Sequence, residues 1–241
     1  MTARTIIRRP GRQLVFLPCM VMVGLVLLVA LIGLRLATPW LRQMIDMANQ
    51  KVTSANVRQI ALAMYNYHDV YGELPPPYVA DEYGNPMHSW RVLILPFLES
   101  SDVYSRYDFS EPWDGPNNSL LFDDRPSPYK DPRMPVDDGR RTSIQVISGA
   151  GAIFDPTASG VSFKSVTDGL MGTVLVIENC AEPVIWTKPD DTSPEDFLAG
   201  KAIGDVHGGE AILSMADGQS TTYRKSDLPQ AKRWITRAAG D

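Results

Sequence analysis

Between Arg12 and Arg35 lie twenty-two consecutive residues with no ionisable side chain other than the thiol of Cys19. At a helical rise of about 1.5 Å per residue this run covers about 33 Å, against a bilayer hydrocarbon core of about 30 Å. One membrane crossing is filled, with a little tilt to spare. A cleaved secretory signal would have an apolar region of about 7 to 15 residues that ends in small residues. This run is longer and ends in IGLRLATPW, so residues 14–36 are read as an uncleaved transmembrane helix. Arg4, Arg8, Arg9 and Arg12 precede it without an acidic residue among them. Basic flanks stay on the cytoplasmic side, which makes residues 1–13 a cytoplasmic tail at the inner membrane and residues 37–241 an exported domain.

After the anchor about 200 residues remain, enough for one domain with a sizeable core. The whole chain carries −5, and residues 1–35 hold five arginines and no acid, which leaves −10 for the rest. A domain that acidic lacks the basic footprint of nucleic-acid binding. Its two cysteines, Cys19 in the membrane run and Cys180 far beyond it, cannot pair within one chain. Cys19 is preceded by Phe16-Leu17-Pro18 and not by the small residues of a lipoprotein site, and Cys180 reads as a small buried hydrophobe.

Thr38-Pro39 has the form of a fresh helix start, with Thr38 as N-cap and Pro39 as the first residue. Leu41, Ile45, Ala48, Val52, Ala55 and Leu62 then recur at three- and four-residue spacing, and Val57, Ile60, Ala61, Met64 and Tyr65 form a second apolar line. The segment 37–71 is thus an amphipathic continuation of the anchor, stopped by Gly72 and by Pro75-Pro76-Pro77. Ser89 caps a short apolar helix, WRVLILPFLE, bent or ended near Pro96. From Asp108 to Asp138 the Pro, Asp, Asn and Gly content predicts a long surface loop with a helical turn, suited to variability or binding. SIQVIS (143–148), TVLVIE (173–178), 184–186 and EAILSMA (210–216) read as strands. Asp217-Gly218 signals a two-residue hairpin turn, and residues 228–237 a closing helix capped by Ser226 or Asp227. Helix first and antiparallel strands after it make the α+β class.

Four blocks in order, NVRQIALAMYNYHDVYGELPPP, SWRVLILPFLE, PWDGPNNSLLF and HGGEAILSMADG, resemble the bacterial prepilin-like family of unknown function with a C-terminal signature of histidine, nine residues and Asp-Gly. Here that signature is His207, then residues 208–216, then Asp217-Gly218; TDGLMGTVLVIENCAEPVIWTKPDD resembles the same family's strand and Trp-Thr-Lys-Pro segment. The resemblance implies a pilin-like or pseudopilin-like fold, in which a long N-terminal helix is half in the membrane and half packed on an antiparallel β-sheet. It also implies homo-oligomer or pilin-like partners through that helix, and no enzyme activity. The N-terminus departs from the pattern. Gly11 is followed by Arg12-Gln13-Leu14-Val15-Phe16, and no glutamate occurs before Glu73, so the acid that pilin-like assembly uses is missing.

His207, Gly208, Gly209, Asp217 and Gly218 are read as structural, the glycines for tight backbone and Asp-Gly for the turn. His207, Asp205 and Asp217 are the residue types for a metal, as are Asp190, Asp191, Glu195 and Asp196 for calcium. In each case the bland reading is preferred. Cys180, His207 and Asp217 match a thiol hydrolase in type alone. His68 reads as a capping or surface group at the helix end and His88 as a solvated loop residue. Trp90, Trp113, Trp186, Tyr78, Tyr104, Tyr107 and Tyr129 read as core and loop anchors in preference to a ligand platform. There is no phosphate loop, paired metal motif or nucleophile elbow. The sequence therefore predicts no cofactor, no metal and no catalytic residue. The function expected is a membrane-anchored structural or interaction protein of the cell envelope. Its alternatives are a pseudopilin subunit of a type II secretion or type IV pilus-like system and a ligand- or metal-binding ectodomain.

Overall fold

The structure is a computed structural model that describes residues 16–158, 160–204 and 208–238. The chain divides into two compact units, at Met47 and Ala48. Helix α1, Phe16–Tyr71, is continuous, as the expected long N-terminal helix requires, and Thr38-Pro39 does not act as the fresh start its residue types allow. Pro39 has no N–H to give to the carbonyl of Arg35, four residues back. Thr38 Oγ1 donates to that carbonyl at 3.1 Å instead, and the turn is closed by a side chain in place of the missing amide.

In the first unit the apolar side chains are largely exposed, among them Met20, Leu25, Leu28, Leu31 and Leu36. Among the described residues this is the one helix long and apolar enough to cross a membrane, and none of its apolar window is buried.

The second unit is α+β. After α1 come a small hairpin of β1 (Tyr78–Ala80) and β2 (Pro86–Ser89) and the short helices α2 (Trp90–Leu93) and α3 (Ser101–Arg106). Then follow β3 (Arg141–Thr142), β4 (Ile144–Gln145), β5 (Val174–Glu178), β6 (Val184–Ile185), α4 (Pro194–Leu198), β7 (Glu210–Met215), β8 (Ser220–Arg224) and α5 (Leu228–Ile235). The main sheet is four-stranded and antiparallel in the order β4-β5-β7-β8, and β3 pairs with β6 separately. Its central strand β5 is buried at every residue, which explains why TVLVIE shows no alternation: a strand covered on both faces has no polar side.

One face of the sheet, with Leu175, Val176 and Ile212, packs on α1 and on Trp90, Val92, Ile94 and Leu95. The other, with Ile177, Leu213 and Tyr223, is closed by Phe197 of α4 and by Ala231 and Ile235 of α5. The buried line of α1 is Thr53, Val57, Ile60, Ala61 and Met64. The longer stripe predicted from Leu41 to Leu62 is exposed, with Val52 at 49% and Leu62 at 59%. That stripe counted only apolar residues, whereas the face that docks begins with a polar one, Thr53. It is therefore the second apolar line that carries the core.

Local signals elsewhere are realised. Gly72 adopts φ 79° and its N–H reaches His68 O at 2.7 Å, ending α1 in a left-handed cap. Ser89 Oγ accepts from Arg91 N at 3.2 Å, and the helix passes into a 3-10 turn at Leu95–Phe97, where Pro96 stands. The hairpin at Asp217-Gly218 forms, with a loop one residue longer than the two-residue turn expected. Met215 N bonds Gln219 O at 2.9 Å, and Gly218, at φ 84°, bonds Met215 O at 3.0 Å. Three residues form the loop, a turn followed by a left-handed glycine. Helix α5 lacks the expected side-chain cap; Asp227 instead accepts from Arg224 N at 2.8 Å, which caps the 3-10 turn in front of it.

Ile60→Ala removes a fully buried side chain and is expected to destabilise the domain by about 2–5 kcal/mol. Leu62→Ala, two residues on, is expected to change stability by less than about 0.5 kcal/mol. Urea denaturation of the two variants checks which line is the core.

Candidate functional site

The segment 108–138 reads from composition as surface loop, yet polar groups inside it hold it in place. Asn118, fully buried, accepts from Asp108 N at 2.8 Å and donates to Asp108 O at 2.8 Å and Pro112 O at 3.0 Å. Glu111 Oε1 accepts the N–H groups of Asn117 and Asn118, each at 2.7 Å. A 3-10 turn at Ser127–Tyr129 then turns the chain inward, and Asp131 and Arg133 enter the interior at 2% and 4% exposure.

Asp131 meets α1 and the sheet there. Its Oδ1 accepts from Thr53 Oγ1 at 2.7 Å and from Arg133 N at 2.9 Å. Its Oδ2 accepts from Ser143 Oγ and lies 3.5 Å from Cys180 Sγ. Glu178, the last residue of β5, approaches the same sulfur at 3.5 Å through Oε1, while Oε2 accepts from Arg133 Nη1 at 3.0 Å and Ile212 N at 2.8 Å. Arg133 also donates to Glu210 O at 3.1 Å. Cys180 is buried as the sequence indicates, but among carboxylates and not among hydrocarbons.

Burial, and after it the charge of Asp131, pushes the Glu178 carboxyl up to about 8 against the opposing pull of Arg133. Burial, then Glu178 and Asp131, push the Cys180 thiol well above its ordinary range. A catalytic cysteine needs the reverse, a positive neighbour that favours the thiolate. The hydrolase arrangement considered from residue types is not assembled. Asp217 lies beside the start of β5, where Ala216 N bonds Thr173 O, whereas Cys180 follows its end.

A second buried cluster surrounds Arg91, which has no exposed surface. Its Nη2 is 2.6 Å from Asp191 Oδ1, its Nε donates to Ile144 O at 3.0 Å and its Nη1 to Ser89 Oγ at 3.0 Å. Asp191 accepts in addition from Trp90 Nε1 at 3.1 Å and Val146 N at 2.9 Å. The guanidinium stacks over Trp90 at 4.8 Å.

The acidic residues considered for calcium are thereby dispersed: Asp191 faces Arg91, Asp190 pairs with Lys188 at 2.7 Å, and Asp196 pairs with Lys201. Of the signature residues, His207 lies outside the described residues, as does Asp205. Gly208 and Gly209 adopt φ 68° and 77°, and Asp217 Oδ1 accepts from Gln219 N at 2.9 Å across its own turn.

His88 is a correction. It is not solvated but buried in β2, 3.1 Å from Tyr107 Oη and edge-on to Phe109, and burial holds its pKa below the usual value. His68 is half-buried, with Nε2 3.0 Å from Ser162 Oγ. Trp90, Trp186 and Tyr129 have no exposed surface and belong to the core. An open cleft of about 510 Å³ borders the 182–191 loop, and its rim sets Arg141 and Lys188 against Glu182 and Asp190.

Sequence reasoning missed Thr53, Asp131, Arg133 and Glu178. The signals were present in weak form: a threonine on the buried helical period, an Asp-Pro-Arg inside a loop, and a glutamate closing an apolar strand.

Residues 52–150 match the family model SBP_bac_10, described as a protein of unknown function (DUF1559). Comparison with curated proteins and with solved structures gives no match.

Replacing Asp191 by Asn leaves Arg91 buried with its charge unmatched, and is expected to cost about 3–5 kcal/mol in chemical denaturation. Cys180 is expected to resist iodoacetamide in the native protein and to label only once denaturant unfolds the domain, as read by peptide mass spectrometry.

Proposed function

We propose that this is a non-enzymatic, single-pass membrane protein with a pilin-like exported domain, serving a structural or interaction role at the cell envelope. The observation that carries the reading is α1 itself: a segment apolar on all sides and unburied, continuous with the segment whose Val57–Met64 face builds the domain core. The four arginines ahead of the apolar run favour a cytoplasmic N-terminus and export of the remainder through the inner membrane. The match of residues 52–150 to a family of unknown function adds no activity, and the prepilin-like part of the reading rests on the sequence blocks alone. The best-formed polar cluster holds its thiol protonated, which supports a non-enzymatic role.

A second reading, a pseudopilin subunit of a type II secretion or type IV pilus-like system, is favoured by one feature. Trp40, Leu41, Met44 and Ile45 remain 45–65% exposed beyond Arg35, an apolar surface suited to a neighbouring helix. Assembly of that kind requires a processed N-terminus.

The anchor reading predicts that the protein stays in the membrane pellet after alkaline carbonate extraction, and that protease added outside the inner membrane digests the domain but spares the N-terminus. Intact mass is expected to retain residues 1–13. A soluble cytoplasmic protein would overturn the reading, and a start at Arg12 would replace it by the pseudopilin one.

A further inference from the structure

The cluster of Asp131, Glu178 and Cys180 has a chemistry that a purely structural joint leaves unused. One oxygen from each carboxylate and the sulfur lie within 4.8 Å of one another. The sulfur stands 3.5 Å from both oxygens, but a thiol has one proton and donates to one of them at a time. Two oxygens and a sulfur facing a common point, at 2%, 1% and 5% exposure, form a ligand set.

An independent observation points the same way. Tyr223 of β8 is 1% exposed, and its hydroxyl has no hydrogen-bond partner among the described residues. Glu178 and Cys180 lie close enough to act on this hydroxyl electrostatically. Buried hydroxyls are ordinarily bonded, so an orphan near the Glu178 carboxyl and the Cys180 thiol calls for something that it binds.

We propose that Asp131, Glu178 and Cys180 bind one zinc ion, with the Tyr223 hydroxyl as the fourth donor. Donor type selects the metal. Calcium and magnesium take oxygen ligands, whereas a set that includes sulfur suits zinc, which accepts cysteine, carboxylate and four-fold coordination. A divalent cation here would displace the thiol proton and set its charge against the neighbouring carboxylates. The remaining oxygens are already fixed. Asp131 Oδ1 is held by Thr53 and Glu178 Oε2 by Arg133 and Ile212 N, which leaves Oε1 and Oδ2 on the side of the sulfur; Oδ2 also accepts from Ser143 Oγ, a bond that would persist beside the ion as an outer hydrogen bond orienting a metal ligand. The ion would tie together the 131 segment, the end of β5 and β8.

The test uses the full-length chain in detergent, in a Cys19→Ala background, stripped with chelator. Calorimetric titration is expected to show one Zn²⁺ per chain, and Co²⁺ in its place to give a thiolate-to-metal charge-transfer band. Cys180→Ser is expected to abolish both, Tyr223→Phe to weaken Zn²⁺ binding about 10–100-fold, and Asp190→Asn to change neither. Absence of Zn²⁺ binding, a Co²⁺ spectrum without the thiolate band, or a band that survives Cys180→Ser would overturn the proposal. The Co²⁺ spectrum of the parent chain decides the matter even where a variant fails the circular-dichroism check of folding.

Discussion

A guanidinium cannot give up its charge, so the burial of Arg91 obliges the surrounding chain to meet its donors. Asp191, Ser89 and the carbonyl of Ile144 do so, and three segments far apart in sequence are fixed against one another by that one side chain. Net stability is not what this arrangement supplies, because desolvation of both ions offsets much of their attraction. Its effect is geometric. With α2 and the 188–191 loop set against β4, Trp90 and Trp186 fall into place around Tyr129, and the apolar layer between α1 and the sheet is filled. Arg133 repeats the device at the end of β5, joining Glu178 to the backbone of β7.

Features governed by local chemistry were legible in the sequence. Gly72, Ser89, Pro96 and Gly218 act on their immediate neighbours, and each stop, cap or turn lies where those residues place it. Strand identity was legible for the same reason, since β-branched runs between Gly, Asp and Pro need no distant partner to be recognised. The buried polar joints were not. Asp131 in a proline-rich loop, Arg91 after a tryptophan and Glu178 after four apolar residues resemble surface charges until the partner is known, and that partner lies 45 or more residues away. Hydrophobic periodicity also misled where polarity and burial part company: Thr53 opens the docking face of α1, and the more regular apolar stripe beside it remains exposed.

Pro39 shows the same division at the level of one turn. Its residue type marks a helix boundary, and its neighbour Thr38 removes the boundary by supplying the donor that proline lacks. The result is the single long helix that the amphipathic continuation implies, with no break at Pro39. An exposed apolar segment and a core-forming segment thus share a single unbroken helix.

The order in which the chain is made has a consequence for how this core closes. The docking face of α1 is complete by Met64, but the strands that cover it, β5 and β7, begin at Val174 and Glu210. For most of synthesis the helix has the α2 region within reach but lacks the sheet that covers it. Contacts this distant in sequence must pay the loop-closure cost before they return any stabilisation. The apolar face of α1 therefore spends its first moments uncovered, and final closure waits on almost the last strand to emerge.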